Sequence, residues 1–295
     1  MKYITNIIAL SLVLWGCNSN TDKSDAYGNF EAETLIVSAE TSGKILALNV
    51  DEGDKIVAGF EAALIDTVQL HLKLTQINAQ KAAVKIRRQS IHSQIDVFKA
   101  QKATLKLNET RIKRMLQDGA STQKQLDDIQ GQINVIDKQI ANTKTQFATV
   151  SKELNVLDAQ KATLRDQLNR CVIKSPVSGT VLETYVEQGE LAATGKSLFK
   201  MADLSELELK VYVSGAQLPN IKLGQEVNVW VDKTDTENRS LPGKITWISS
   251  EAEFTPKIIQ TKEERVKLVY AVKVTVKNDG SLKIGMPGEV NFSYQ

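Results

Sequence analysis

Two cysteines and two histidines are the residues of this chain best suited to metal binding or nucleophilic chemistry. His71 and His92 stand 21 positions apart in a stretch without proline. In a helix that separation is about 30 Å, so the two imidazoles cannot share a metal. With Cys171 they make no nucleophile–base pair, because nothing in the spacing brings a base to the thiol. Cys171, at the start of the apolar "CVIKSPVSG", reads as a buried small residue rather than a reactive thiol. The 37 basic and 35 acidic side chains leave a formal charge of +2. That balance offers no clustered basic face for nucleic acid, and aromatic residues at 5% offer no stacking platform. The chain is therefore expected to work through shape and contact, with no catalytic residue, metal or cofactor.

The elements that would set such a shape are visible. From Thr67 to Arg170 there is no proline, and the only glycines are Gly119 and Gly131. Steps of three and four from Leu70 give Leu74, Ile77, Lys81, Val84, Arg88, Ile91, Ile95, Phe98, Lys102, Leu105, Glu109, Ile112 and Leu116. The same steps from Leu126 give Ile129, Ile133, Ile136, Ile140, Thr143, Phe147, Val150, Leu154, Leu157, Lys161, Leu164 and Leu168. This alternation is the seam of a two-stranded coiled coil. Between the arms, in "QDGAST", Gly119 can end one helix and Ser121 or Thr122 can cap the next. A bundle core would need a wider apolar face. Charged seam residues can also reach water from a thin rod, so the spacing predicts an antiparallel hairpin with the remaining Asp and Glu on its wet face.

The hairpin is flanked by two versions of one phrase, "SGKILALNVDEGDKIVAG" at 42–59 and "SGTVLETYVEQGELAATG" at 178–195. Gly43, Gly53 and Gly59 return 136 positions later as Gly179, Gly189 and Gly195. Short alternating runs broken by glycine read as strands and tight turns, where Gly53 and Gly189 can take positive φ. One copy holds too little apolar surface to stand alone. The copies are expected to pack as pseudo-symmetric halves of one sandwich, which the hairpin leaves and re-enters.

The first residues, "MKYITNIIALSLVLWGC", have a lysine, an apolar run and small Gly16 before Cys17, the layout of an export signal too short to span a bilayer. Leu14-Trp15-Gly16-Cys17 resembles a bacterial lipobox, with Trp15 bulkier than usual. The resemblance implies cleavage after residue 16 and acylation of Cys17. Cys171 is then left without a disulfide partner. Residues 17–26 read as a polar tether. Anchoring in the inner membrane, facing the periplasm, is expected rather than in the outer, although Asn18 is not the aspartate enterobacteria use for retention there.

A split sandwich enclosing a coiled coil resembles the HlyD-type membrane fusion proteins, the periplasmic adaptors of efflux and secretion pumps. "IKSPVSGTV" at 173–181 is similar to the opening of that family's second lipoyl half-motif. True carrier domains hold their cofactor on a lysine within Met-Lys-Met, and this chain has none between the halves. No cofactor is therefore implied. "LELKVYVSGAQLPNIKLGQEVNVWVD" is similar to the family's β-barrel, and "LPGKITWISSEAEFTPK" and "VYAVKVTVKNDGSLKIGMPGEVNF" to its closing strands and membrane-proximal domain. "EAEFTPK" and "QTKEER" resemble adaptors of ABC-type exporters of the YbhG-like kind.

The fold class so implied is α+β, elongated and multidomain. It has a signal at 1–16, a tether at 17–26, and a lipoyl-like sandwich from 36–66 with 171–203. The hairpin occupies 67–170, with its tip near 117–122. A β-barrel at 204–253 and a membrane-proximal β domain from 27–35 with 254–295 complete it. Family adaptors dock hairpin tip to channel tip through Arg, three residues, Leu, six residues, Ser. Arg111, Met115 and Thr122 stand at those spacings in "RIKRMLQDGAST". The implied partners are an ABC-type inner-membrane transporter, a TolC-type outer-membrane channel and further copies in a ring, six by resemblance. At the tip, the competing reading makes Arg111 an ordinary solvated arginine, Met115 a seam neighbour of Leu116 and Thr122 a helix cap; for the whole chain it is a structural envelope lipoprotein whose rod is a spacer.

Overall fold

The computed structural model describes residues 24–234, 237–254 and 268–292. The leader, Cys17 and most of the tether lie outside them. The described residues fall into two compact units, one spanning 36–200 and the other built from the remainder.

Within the first unit the seam residues do what their spacing demands. The outgoing arm is a helix over Val68–Gln117 and the returning arm a helix over Gln123–Arg170. At 1.5 Å per residue the 50-residue arm is about 75 Å long. Every position of the predicted seam is buried or half-buried, including Lys81, Arg88 and Lys102, and the outward positions are overwhelmingly exposed. Val84, Val150, Leu154 and Leu157 form one buried cluster with Ile91 against it. Polar residues on and beside the seam find partners across the rod. Lys81 pairs with Asp158, Arg87 with Glu153 and Lys102 with Asp137, while Lys161 donates to Asn78 Oδ1 at 2.8 Å. These cross-links step along the arms in one antiparallel register.

The glycine-marked halves are interlocked. The first half supplies β2 (Thr34–Ser38), β3 (Gly43–Leu48), β4 (Lys55–Ile56) and β5 (Glu61–Ile65). The second supplies β6 (Val172–Lys174), β7 (Gly179–Thr184), β8 (Leu191–Ala192) and β9 (Ser197–Ala202). Two four-stranded sheets result, ordered β2-β9-β7-β4 and β6-β5-β3-β8, so each mixes strands of both halves. The short strand of each half pairs with the long strand of the other, Gly43 opposite Ala192 and Gly179 opposite Ile56. The reciprocity extends to single bonds. Gly53 N–H donates to Val181 O and Gly189 N–H to Ile45 O, both at 2.9 Å. Core volumes are traded between related positions, with Ala63 standing where the other half has Phe199, and Ile56 where it has Ala192; all four are buried.

Gly53 and Gly189 share a φ of 97°, and Gly59 and Gly195 stand at 82° and 86°. Gly43 and Gly179, expected in turns with them, instead open β3 and β7 without positive φ. Gly43 is there for room, since a Cβ would meet Ile65 Cγ2 at 2.7 Å. Gly189→Ala, with space for the methyl but the wrong φ, should destabilise the domain by about 1–2 kcal/mol in urea unfolding.

The second unit is a closed six-stranded barrel. Its strands are β1 (Ala26–Glu31), β10 (Glu206–Ser214), β11 (Glu226–Asp232), β12 (Asn238–Ile248), β14 (Leu268–Lys277) and β15 (Pro287–Asn291), with β13 (Glu253–Phe254) appended. The order β10-β1-β15-β11-β12-β14 closes through β10–β14, paired from Glu206–Lys277 to Ser214–Val269. The border expected near residue 253 thus falls inside the barrel. Strands assigned to a barrel and to a separate membrane-proximal domain share one core, in which Phe30, Leu209, Val229, Ile245, Val274 and Val290 all lie. The barrel repeats internally as well. "IKLGQEV" at 221–227 and "LKIGMPGEV" at 282–290 form equivalent turns, Gly224 and Gly285 both at φ 83°. Gly224 N–H donates to Ile245 O and Gly285 N–H to Phe30 O, which relates β12 to β1.

Candidate functional site: the hairpin tip

The last turn of the outgoing arm closes on itself before the chain reverses. Asp118 N–H donates to Arg114 O, Gly119 N–H to Leu116 O and Ala120 N–H to Met115 O. Gly119, at φ 70°, supplies the left-handed residue that ends the helix. The returning arm starts with a capping box: Thr122 Oγ1 accepts from Gln125 N–H at 3.4 Å, and Thr122 N–H donates to Gln125 Oε1 at 3.0 Å. Ser121 Oγ adds a bond to the same Oε1. Backbone groups that would otherwise be orphaned at the reversal are satisfied within five residues, so the tip is held in one shape.

On this support, Arg111 and Met115 stand one helical turn apart on the exposed side of the outgoing arm, and Thr122 opens the returning arm. The Thr122 hydroxyl is engaged in the cap. Arg111 is exposed and forms no ion pair among the described residues. One turn below it stands Leu107, 71% exposed, and one turn above it Met115, 41% exposed. Arg111 is thus bracketed by two projecting apolar side chains in a compact ridge, and arginine and methionine are residue types enriched at protein interfaces. Leu107 was not picked out by the spacing, which looks only toward the turn. Its signal is an outward leucine four residues before the arginine.

A second feature fixes the ridge. Glu109 sits on the seam and is almost fully covered by its neighbours. Lys113 reaches its Oε1 at 2.8 Å and Lys106 its Oε2 at 3.0 Å, while Gln130 donates from the facing arm at 3.3 Å. Hydrogen bonds from Lys113 first, then Lys106 and Gln130, hold its carboxyl down at about 2 from the ordinary 4.5. Because the folded value is depressed, Glu109 contributes stability that is complete above about pH 4.5 and is lost as pH falls toward 2. Wild-type protein should therefore melt above Glu109→Gln at about pH 6, and the gap should close as the pH approaches 2.

The other chemistry-bearing residues stay apart. His92 Nδ1 lies 3.1 Å from Asp96, its ring edge-on to Phe147, and His71 is an exposed helical residue near the arm's start. Cys171 is buried at the end of the returning arm, its thiol donating to Gln167 O and its pKa raised by burial. Among the described residues there is no group of three metal-ligating side chains, and no helix is long and apolar enough to cross a membrane.

Comparison with known proteins agrees with the architecture. Residues 33–203, more than half of the chain, match the RND MFP barrel-sandwich hybrid domain. The UPF0194 membrane protein of Yersinia pseudotuberculosis serotype O:3 (strain YPIII) is 33% identical over 126 residues, which is 42% of this chain and 38% of that protein. UPF0194 membrane protein YbhG of Salmonella gallinarum is 30% identical over 122 residues, 41% of this chain and 36% of its own. The matched stretch is thus well under half the length of these curated relatives. The fold is similar to that of MacA from Actinobacillus actinomycetemcomitans, with TM-score 0.59, 24% identity and coverage of 90% of this chain and 76% of MacA. It is also similar to a MacA-MexA chimera carrying the Pseudomonas aeruginosa MexA α-hairpin, with TM-score 0.55, 23% identity and coverage of 92% and 80%. With the split sandwich, the inserted hairpin and the barrel all accounted for, the chain belongs to the HlyD-type membrane fusion proteins.

Proposed function

We propose that this protein is a periplasmic adaptor that joins an ABC-type inner-membrane transporter to a TolC-type outer-membrane channel for efflux or secretion. Acylated Cys17 holds it at the inner membrane, the barrel is seated by the transporter, and the hairpins line up around a conduit. A single two-helix rod encloses nothing, so the function requires a ring, and six copies is the number the family implies. The ridge of Leu107, Arg111 and Met115 is the channel contact, with Thr122 keeping the turn in shape beside it. The protein performs no catalysis and carries no cofactor.

One observation supports this reading above the others: the hairpin springs from between two interlocked half-domains. Ile65 N–H donates to Cys171 O at 2.9 Å where the arms begin and end, so a rigid base clamps both arms. A spacer would need no such clamp. The test is the mass of the detergent-extracted full-length protein with and without its transporter. A transporter-bound ring is expected, and a protein that stays monomeric in both states contradicts the reading.

A further inference from the structure

The barrel's internal two-fold makes its two rims topologically equivalent, yet their surfaces differ. One rim is where the chain enters β1 at Ala26; the other is where it leaves β1 at Glu31 and returns at Glu206. Among the described residues, the entering rim carries four exposed apolar side chains on separate strands or turns. Leu223 is 69% exposed, Leu268 58%, Tyr27 55% and Trp247 42%. Leu223 projects from a tight turn closed by Gln225 N–H to Lys222 O at 3.1 Å, with Gly224 at positive φ, so it cannot fold back onto the core. At the other rim the matching turn shows Ile284, 43% exposed. The repeat puts Pro242 near the place of Tyr27 there, and the polar end of β10 near that of Leu268.

Aromatic side chains with a polar tip, next to aliphatic ones that project fully, suit a boundary between water and hydrocarbon. Two of the nearby lysines are paired. Lys210 bonds Glu253 at 3.4 Å and lies 5.5 Å from the Tyr212 ring, while Lys273 bonds Glu208 and lies 6.0 Å from the Trp247 ring. Lys222, exposed beside Leu223, forms no ion pair among the described residues and can meet the phosphate of a lipid headgroup. Chain length says what is within reach. Cys17 precedes Ala26 by nine positions, at most about 30 Å of extended backbone. A lipid at Cys17 therefore holds the entry to β1 within about 30 Å of a bilayer surface.

We propose that the entering rim rests in the headgroup layer of the membrane, with Leu223 and Leu268 inserted and Tyr27 and Trp247 at the polar boundary. This placement rests on the reading of Cys17 as the acylated residue.

Trp247 is its own probe. Full-length acylated protein is placed in phosphatidylethanolamine–phosphatidylglycerol vesicles, and its emission is compared with that of Trp247→Phe. Acyl chains brominated near the headgroup should quench the Trp247 component about two-fold and shield it from aqueous iodide. Leu223→Asp with Leu268→Asp should abolish both effects while circular dichroism and melting show the barrel intact. Emission indifferent to brominated lipid on protein shown by mass to be acylated overturns the proposal without touching the adaptor reading. Quenching seen only when a transporter is co-reconstituted overturns it in favour of a protein partner. A mature chain without an acyl group removes the reach argument and the proposal with it.

Discussion

Arg111→Glu should cut export about tenfold or more while leaving folding and transporter association intact. A buried interface arginine is commonly worth 2 kcal/mol or more, and each 1.4 kcal/mol is tenfold in affinity. Charge reversal adds repulsion to that loss. Arg111 is exposed and outside the seam, and it makes no ion pair among the described residues, so the fold has nothing to lose. The bracketing side chains sharpen the expectation: Leu107→Ala and Met115→Ala should each weaken export by less than Arg111→Glu does. Thr122→Ala should act differently, since its hydroxyl caps the returning arm. Loss of an N-cap costs about 1 kcal/mol of local stability. Its defect should therefore be greatest at raised temperature, whereas that of Arg111→Glu should not vary in this way. Export rate and melting temperature, measured on the same variants, separate the two roles.

The second large effect concerns the base of the rod. Replacing residues 68–170 with a short glycine–serine turn should leave both units folded and abolish export. The Ile65–Cys171 backbone bond brings the two cut ends together, and β5 pairs with β6 beside it. A short turn can thus bridge them without moving a strand. All the reciprocal pairing of the halves lies outside the deleted segment. Far-UV circular dichroism should lose its helical signal and keep a cooperative β transition. Phe199→Ala is the contrasting variant. The ring is fully buried, and removing it should cost about 3–5 kcal/mol by leaving a cavity. Should the hairpin-less chain fail to fold, the clamp would have to be maintained by the helices rather than the reverse.

The rod was the most legible part because its signal is local. Residues three and four apart decide which side of a helix is buried, and Leu154, Leu157 and Leu164 follow that rule whatever lies across the seam. The sandwich halves were legible because Gly53 and Gly189, like Gly59 and Gly195, must take the same uncommon φ at the same spacing. The grouping of barrel strands was not. Which strands pair with β14 depends on residues some thirty to sixty positions away, and Gly243 says nothing locally about Val276. The repeat of "IKLGQEV" in "LKIGMPGEV" marks the two halves of one barrel only once the strands are seen paired. Glu109 shows the same limit at the tip. Lys106 and Lys113 at minus three and plus four were visible neighbours, but Gln130 joins them only through the antiparallel register. The partner-facing role of Arg111 has no local physical signature at all, because an arginine awaiting a partner looks like one that only meets water.

The proposed adaptor function requires the hairpin tip to meet an outer-membrane channel, and cysteine cross-linking in intact cells tests it directly. Met115→Cys places a thiol on the ridge, while native Cys171 is buried and should stay silent. A cross-linked product containing the channel protein is predicted from position 115 and none from an outward mid-rod position such as Thr145→Cys. If position 115 instead cross-links to another envelope component, or the mid-rod thiol reaches the channel equally well, the tip-to-channel arrangement is contradicted.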